Sequence, residues 1–371
     1  YPYCLATTIF NTGISCPRDY SEDEIKRIEK TEKNLPETQE EKKPNILFLQ
    51  LESFFDPTLV KYLDISEDPI PTFRKLMEDY SSGYYKVPSV GAGTANTEFE
   101  SITGMSMHYF GPGEYPYKTI LKQTDCESIA DDLSQIGYGT HVVHNNTATF
   151  YSRNNAFSMM GFDTFTSKEC MNISQYTPNG NWPTDDVLVQ ETVKAMNATE
   201  NQSDFVYTIT VEGHGDYPTE KLLENPDILV SGAADEASNN QWEYYVNMIH
   251  EVDDFIGDLI TAVDRRGEDT IIVFFGDHLP TMGLTDADMK SGDIFKTKYI
   301  TWNNMGLAKK DADLTAYQLL AHITDQAGIH EGTMFRYHQT QTASETYLSG
   351  LEDLQYDLLY GKRYTYGGED L

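Results

Sequence analysis

Positive charge is what this sequence has least of: 27 Lys and Arg stand against 59 Asp and Glu, a formal net charge of −32. Such a field repels polyanions, which argues against nucleic-acid binding and against general attraction to anionic headgroups. An anionic substrate has to be held locally, by a metal ion and a few cationic side chains in one pocket. Cysteine is also scarce. Cys4, Cys16, Cys126 and Cys170 include no C-x-x-C pair, which argues against a thiolate metal site. Their even number allows two disulfides, and proximity favours Cys4 with Cys16, leaving Cys126 with Cys170. Four free thiols are the alternative. No run of about 18 apolar residues occurs, so no membrane span is expected within the chain. The first residue is Tyr1 rather than Met, and a longer protein with an upstream membrane anchor is expected.

What is present suits a folded protein. The 371 residues are 39% hydrophobic and 12% aromatic, enough for a large core. After Ser21 the run SEDEIKRIEKTEKN reads as a capped, charged helix with acids first and bases later, and LPETQEEKKP reads as a linker. Residues 1–43 are thus expected to form a solvated stem. From Asn45 onward, short apolar runs alternate with longer helical patterns: NILFLQLE, THVVH, DFVYTITVE and TIIVFFGDH are the strand candidates. Helical segments fall near residues 70–80, 94–103, 125–136, 184–197 and 236–265. That order predicts an α/β fold, one sheet with helices on both faces, over residues 44–331. The Tyr-rich tail over 332–371 reads as a small C-terminal subdomain.

Three strand candidates end in ionisable residues: Glu52, His144, and Asp277 with His278. In doubly wound sheets such strand ends converge on one pocket. Glu52, Asp277 and His278 make a hard ligand set for Mn²⁺, Mg²⁺ or Zn²⁺. Thr94, in SVGAGTANTEFESITG, follows small residues at the start of a helical pattern and offers a fourth oxygen. A helix N-terminus favours phosphate oxygens, and metal coordination lowers a hydroxyl's pKa enough for attack on phosphorus at neutral pH. Read alone, each signal has a plain alternative: G-D-H as a loop cap, Thr94 as a helix N-cap.

Taken together and in this order, these residues resemble the lipoteichoic acid synthase family of bacterial glycerol phosphate transferases, over about residues 44–330. In that family a glutamate ends the first strand, a threonine nucleophile lies in a G-x-T-x-x-x-E-F type segment, and a D-H pair follows a late strand. Here these are Glu52, Thr94 in AGTANTEF, and Asp277 with His278. A histidine followed seven and nine residues later by an aromatic and an arginine matches His144, Tyr151 and Arg153, with Tyr where the synthase usually has Trp. His214, in TVEGHGDYP, holds the place of the remaining active-site histidine, although G-H-G-D-Y-P departs from the usual N-H-x-P.

The resemblance implies an alkaline phosphatase/sulfatase-like fold, a metal site of Glu52, Thr94, Asp277 and His278, with Mn²⁺ as the ion by the family's usage and Mg²⁺ or Zn²⁺ as the alternatives, and substrate contacts from His144, Tyr151, Arg153 and His214. It further implies a phosphatidylglycerol-like lipid donor, a covalent phosphoglyceryl-threonine, a glycerol phosphate polymer or surface glycan as acceptor, and a monomer at the extracellular face of a bacterial membrane. Two other readings stand beside it. A hydrolase on the same fold needs only water in place of the acceptor, although the C-x-P-x-R or S-x-P-x-R segment of formylglycine sulfatases does not surround Thr94. A non-catalytic wall-polymer-binding module predicts loss of a ligand or of the nucleophile, and every such position is present.

Overall fold

The computed structural model describes residues 13–32, 35–38, 43–199 and 201–371. Ten strands form among them: β1 (Asn45–Leu51), β2 (Asp64–Ile65), β3 (Ser82–Lys86), β4 (Gly139–His144), β5 (Thr164–Ser167), β6 (Asp204–Ile209), β7 (Val230–Ser231), β8 (Thr270–Gly276), β9 (Lys296–Asn303) and β10 (Leu314–Thr315). Eight make one sheet in the order β10-β3-β9-β8-β1-β6-β4-β5, and β2 pairs with β7 in a separate ribbon. All strands of the large sheet run parallel except β9, which is antiparallel to both β8 and β3.

The four predicted strands are its centre. They read as continuous apolar runs because helices cover both faces. Every residue of β1 and β8 is buried. Side chains alternate across β1: Ile46 and Phe48 face one core, and Leu47, Leu49 and Leu51 the other. The first core is completed by the helices Thr94–Thr103, Ile129–Gln135, Ala316–Gln326, Thr333–Gln341 and Tyr347–Leu359, the second by Pro71–Asp79, Asp186–Met196 and the long Glu236–Asp264 helix.

Two expectations are corrected here. The predicted stem helix is present at Glu22–Glu32, but it is not solvated: Ile25 and Ile28 are buried in the first core, and the Tyr20 hydroxyl donates to Asp357 at 2.5 Å. Two apolar residues spaced three apart in an otherwise charged helix were enough to dock it. Cys126 and Cys170 are not bridged. Cys126 is a buried free thiol within the first core and Cys170 is an exposed one, while Cys4 lies outside the described residues. The tail's helices Thr333–Gln341 and Tyr347–Leu359 place Phe335, Leu351 and Leu354 in the same core as Phe99 and Ile102.

One buried acid of this core makes a measurable prediction. Burial pushes the Glu100 carboxyl up to about 8, against hydrogen bonds from the Met107 backbone and the Ser106 hydroxyl. The folded state therefore holds this proton more tightly than the unfolded chain, and stability falls as pH rises from about 4.5 towards 8. Glu100→Gln keeps an acceptor and removes the ionisation. Its melting temperature relative to the parent should rise at pH 8 and change little at pH 5, as scanning calorimetry at the two pH values will read.

Candidate active site

The register of the central strands builds the site. Leu51 pairs with Gly276, so the next residues, Glu52 and Asp277, leave the sheet side by side. Gln50 pairs with Ile209, which in turn pairs with His144, placing His144 and the chain after β6 on the same rim. The turn after β1 is locked to its neighbours: Glu52 N–H donates to Thr210 Oγ1 at 2.8 Å, and Ser53 N–H donates to Asp277 Oδ1 at 2.8 Å. Only glycine fits at 213, because a Cβ there would lie 2.4 Å from the Glu52 carbonyl oxygen.

Thr94 is the first residue of its helix rather than the cap. The cap position is Gly93, whose φ of 98° lies in the left-handed region that a side chain disfavours. The Thr94 hydroxyl is therefore not spent on capping. It donates to Glu52 Oε2 at 3.2 Å and lies 3.3 Å from His278 Nε2. The helix is aimed by Thr97, whose hydroxyl donates to the Asp277 carbonyl at 2.9 Å.

Glu52, Asp277 and His278 form a buried group whose candidate ligand atoms lie within 4.8 Å of one another, a set able to hold a metal ion. The donor chemistry fits. His278 Nδ1 faces the Leu279 carbonyl at 2.9 Å, which makes Nδ1 the protonated nitrogen in the neutral ring and turns the Nε2 lone pair towards both carboxylates. Asp277 Oδ2 is buried with no hydrogen-bond partner. Burial, and then the Glu52 charge, pushes Asp277 up. Burial also acts to raise Glu52, but the charges of His214 and His278, the Ser53 hydroxyl and Arg153 outweigh it and hold this carboxyl low. Two crowded carboxylates that resist joint ionisation are relieved by a divalent cation between them.

Glu52, Thr94, Tyr151, His214 and His278 line one pocket of about 460 Å³, with Phe150 and Gln241 at its wall. Arg153 is buried behind Tyr151. Its Nε lies 3.1 Å and its Nη2 2.5 Å from Glu98 Oε1, while Nη1 is buried without a partner. Burial works against the Arg153 charge, but Glu98 outweighs it and the guanidinium stays charged. Tyr151 and Ser152 both have positive φ, at 57° and 62°, two consecutive non-glycine residues in the left-handed region. Such conformations cost about 1–3 kcal/mol each and gather at ligand sites. Here the Tyr151 ring stacks on Tyr115 at 5.4 Å, and the Arg153 guanidinium lies 5.2 Å from the Tyr151 ring centroid.

His144 is buried, with Nδ1 facing the Ile209 carbonyl at 2.8 Å and Nε2 unpartnered. Burial, and then the Arg153 charge, pushes its pKa well down, so the ring is neutral and Nε2 is an acceptor. His214 also has a buried, unpartnered Nδ1, and its ring lies 4.4 Å from that of Trp182. All eight residues singled out in the sequence thus converge on this rim. Of the other six histidines, none lines the pocket. Sequence reasoning missed Ser53, Glu98 as the counter-ion of Arg153, and the 177–185 segment; the only signal for the last was Trp182, one of three tryptophans in the chain.

Comparisons with known proteins agree with this architecture. The sulfatase family profile matches residues 44–340. A Rhizobium meliloti protein whose name links it to cyclic beta-1,2-glucan modification is 28% identical over 408 residues, covering 98% of this chain and 62% of its own length. The chain thus spans about six-tenths of that relative. Among solved structures, the Streptococcus pyogenes phosphoglycerol transferase GacH, in complex with sn-glycerol-1-phosphate, superposes with a TM-score of 0.81 at 19% identity, covering 95% of this chain and 97% of that one. The lipoteichoic acid synthase LtaP from Listeria monocytogenes gives a TM-score of 0.63 at 19% identity, over 84% and 80% of the two chains. These likenesses show an alkaline phosphatase/sulfatase-like fold. Among the described residues no helix is long and apolar enough to cross a membrane.

Proposed function

This chain belongs to the sulfatase family, and on that premise we propose that it transfers glycerol phosphate from a phosphatidylglycerol-like lipid to a surface glycan or glycerol phosphate acceptor, with Thr94 as the nucleophile. The observation that carries the reading is a set of buried, unpartnered polar atoms: His214 Nδ1 in a residue that lines the pocket, and His144 Nε2 and Arg153 Nη1 in two residues close enough for Arg153 and His214 to act on His144 electrostatically. They suit different parts of one ligand. Arg153 offers an N–H to a phosphate oxygen, whereas neutral His144 accepts from a hydroxyl, as a glycerol headgroup provides at a distance from its phosphate.

Glu52, Asp277 and His278, with the Thr94 hydroxyl, would hold the cation, with Mn²⁺ as the proposed ion. When bound, it lowers the pKa of the hydroxyl and withdraws charge from the phosphate. In the first half-reaction Thr94 Oγ1 bonds to phosphorus as the bond to the diacylglycerol oxygen breaks. The proton lost by Thr94 ends on the diacylglycerol hydroxyl, with His214 as the proposed donor to the leaving oxygen. In the second half an acceptor hydroxyl attacks the same phosphorus, His214 takes its proton, and Thr94 regains one on release. Arg153 stabilises the charge on the transferring group throughout. The glycan-linked name of the Rhizobium meliloti relative supports a saccharide acceptor, and the reading places the domain at the extracellular face of a membrane, as a monomer.

The test is incubation with labelled phosphatidylglycerol, Mn²⁺, and either a glucan or a glycerol phosphate oligomer, followed by product mass. Phosphoglyceryl-modified acceptor supports transfer. Free glycerol phosphate in equal amount with and without acceptor would instead identify a hydrolase.

A further inference from the structure

The segment 177–185 lies outside every motif that points to the reaction, yet it ties together the end of β4, which carries His144, and the loop that carries His214. Asp185, fully buried, precedes the Asp186–Met196 helix. Its Oδ1 accepts from Asn145 Nδ2 at 2.8 Å and from Val211 N–H at 2.9 Å, and its Oδ2 accepts from Glu212 N–H at 3.3 Å. Its own N–H donates to Glu212 Oε2 at 2.8 Å. One carboxylate thus pins the residue after His144 and the residues just before His214.

The other end of the segment holds His214 directly. A turn closed by Thr177 N–H to the Trp182 carbonyl, at 2.8 Å, presents the indole against the His214 imidazole. Trp182 Nε1–H donates to the Gly215 carbonyl at 3.0 Å, and Asn179 Nδ2 donates to the Asp216 carbonyl at 3.2 Å. Asp216 itself has a φ of 72°, a left-handed conformation that needs such outside support.

We infer that the 177–185 segment is a clamp that fixes the spacing between His144 and His214, with Asp185 and Trp182 as positioning residues, and so selects a ligand carrying a phosphate and a hydroxyl at the separation found in glycerol phosphate. The inference rests on the reading that His144 accepts from the glycerol hydroxyl. Asp185→Asn keeps the acceptor for Asn145 and Val211 but sets an N–H₂ against the Glu212 N–H, which releases the His214 side. A misplacement of about 1 Å at such a site costs on the order of 10²-fold.

The experiment is calorimetric titration of the Mn²⁺-loaded protein with sn-glycerol-1-phosphate and, separately, with inorganic phosphate. The parent should bind sn-glycerol-1-phosphate more tightly, and Asp185→Asn should reduce that preference by about tenfold or more with Mn²⁺ affinity unchanged. Asp186→Asn, at the neighbouring exposed position, should leave it unaltered. A variant that is merely less stable lowers the melting temperature without moving the ratio. If Asp185→Asn does not fold, Trp182→Phe, which loses only the N–H to Gly215 and part of the ring contact, carries the same test. A folded variant that keeps the parent's preference overturns the clamp. A parent with no preference for sn-glycerol-1-phosphate overturns the substrate reading instead.

Discussion

Thr94→Ala should abolish turnover, by about 10⁴-fold or more, while leaving the protein folded. The hydroxyl is a nucleophile that lies beside two members of the three-ligand cluster, 3.2 Å from Glu52 and 3.3 Å from His278. Its removal takes away the atom that would carry the phosphoglyceryl group, and the Ser53 hydroxyl beside it is engaged with Glu52 Oε1 at 3.0 Å. The structural cost is small. Helix entry depends on Gly93, alanine is a good helix former at the first position, and the lost hydrogen bond is worth about 1 kcal/mol. Steady-state assays, thermal melting and intact mass should agree: the parent gains the mass of one phosphoglyceryl unit during turnover and the variant gains none. Activity retained near the parent level would sink the nucleophile assignment.

The second large effect is at Arg153. Its guanidinium does two things at once, gripping Glu98 through Nε and Nη2 and leaving Nη1 free. Lysine cannot do both, since a single ammonium placed to satisfy Glu98 has no planar fork to offer the phosphate. Arg153→Lys should therefore lower kcat/KM by about 10²–10³-fold, close to the loss in Arg153→Ala. The two differ in stability. Alanine leaves the buried Glu98 carboxylate without a counter-ion, a defect that costs about 3–5 kcal/mol, whereas lysine retains the pairing. Kinetics and melting curves on the pair separate the two roles, and Arg153→Lys with kinetics like the parent would contradict the phosphate contact.

The central strands and several residues of the candidate site were legible in the sequence because burial on both faces gives continuous apolar runs that end at ionisable residues. Glu52, His144, Asp277 and His278 were found that way. Thr94 reads locally as a helix cap, and only the order of the residues around it points to a nucleophile; the structure adds that Gly93 holds the cap position. The outer strands escaped notice for physical reasons: β3 is the short SGYYK with a glycine, and β9, KTKYITWN, begins with lysines at its partly exposed end. The stem helix was legible as a helix but not as part of the core, since two isoleucines in eleven mostly charged residues give little apolar periodicity. The 177–185 clamp was invisible because its contacts join residues up to 40 positions apart through hydrogen bonds that no local pattern encodes.

The pairing of Leu51 with Gly276 has one more consequence. The carboxylates at 52 and 277 come from strands far apart in the chain, and they meet only when β1 and β8 have zipped to their last residues. In the unfolded chain they are strangers. A cation that prefers this pair over any partial set would therefore bind the finished sheet alone, and by mass action its concentration would set part of the protein's resistance to unfolding. The site would thus make survival of the fold answer to the same ion that the proposed chemistry needs.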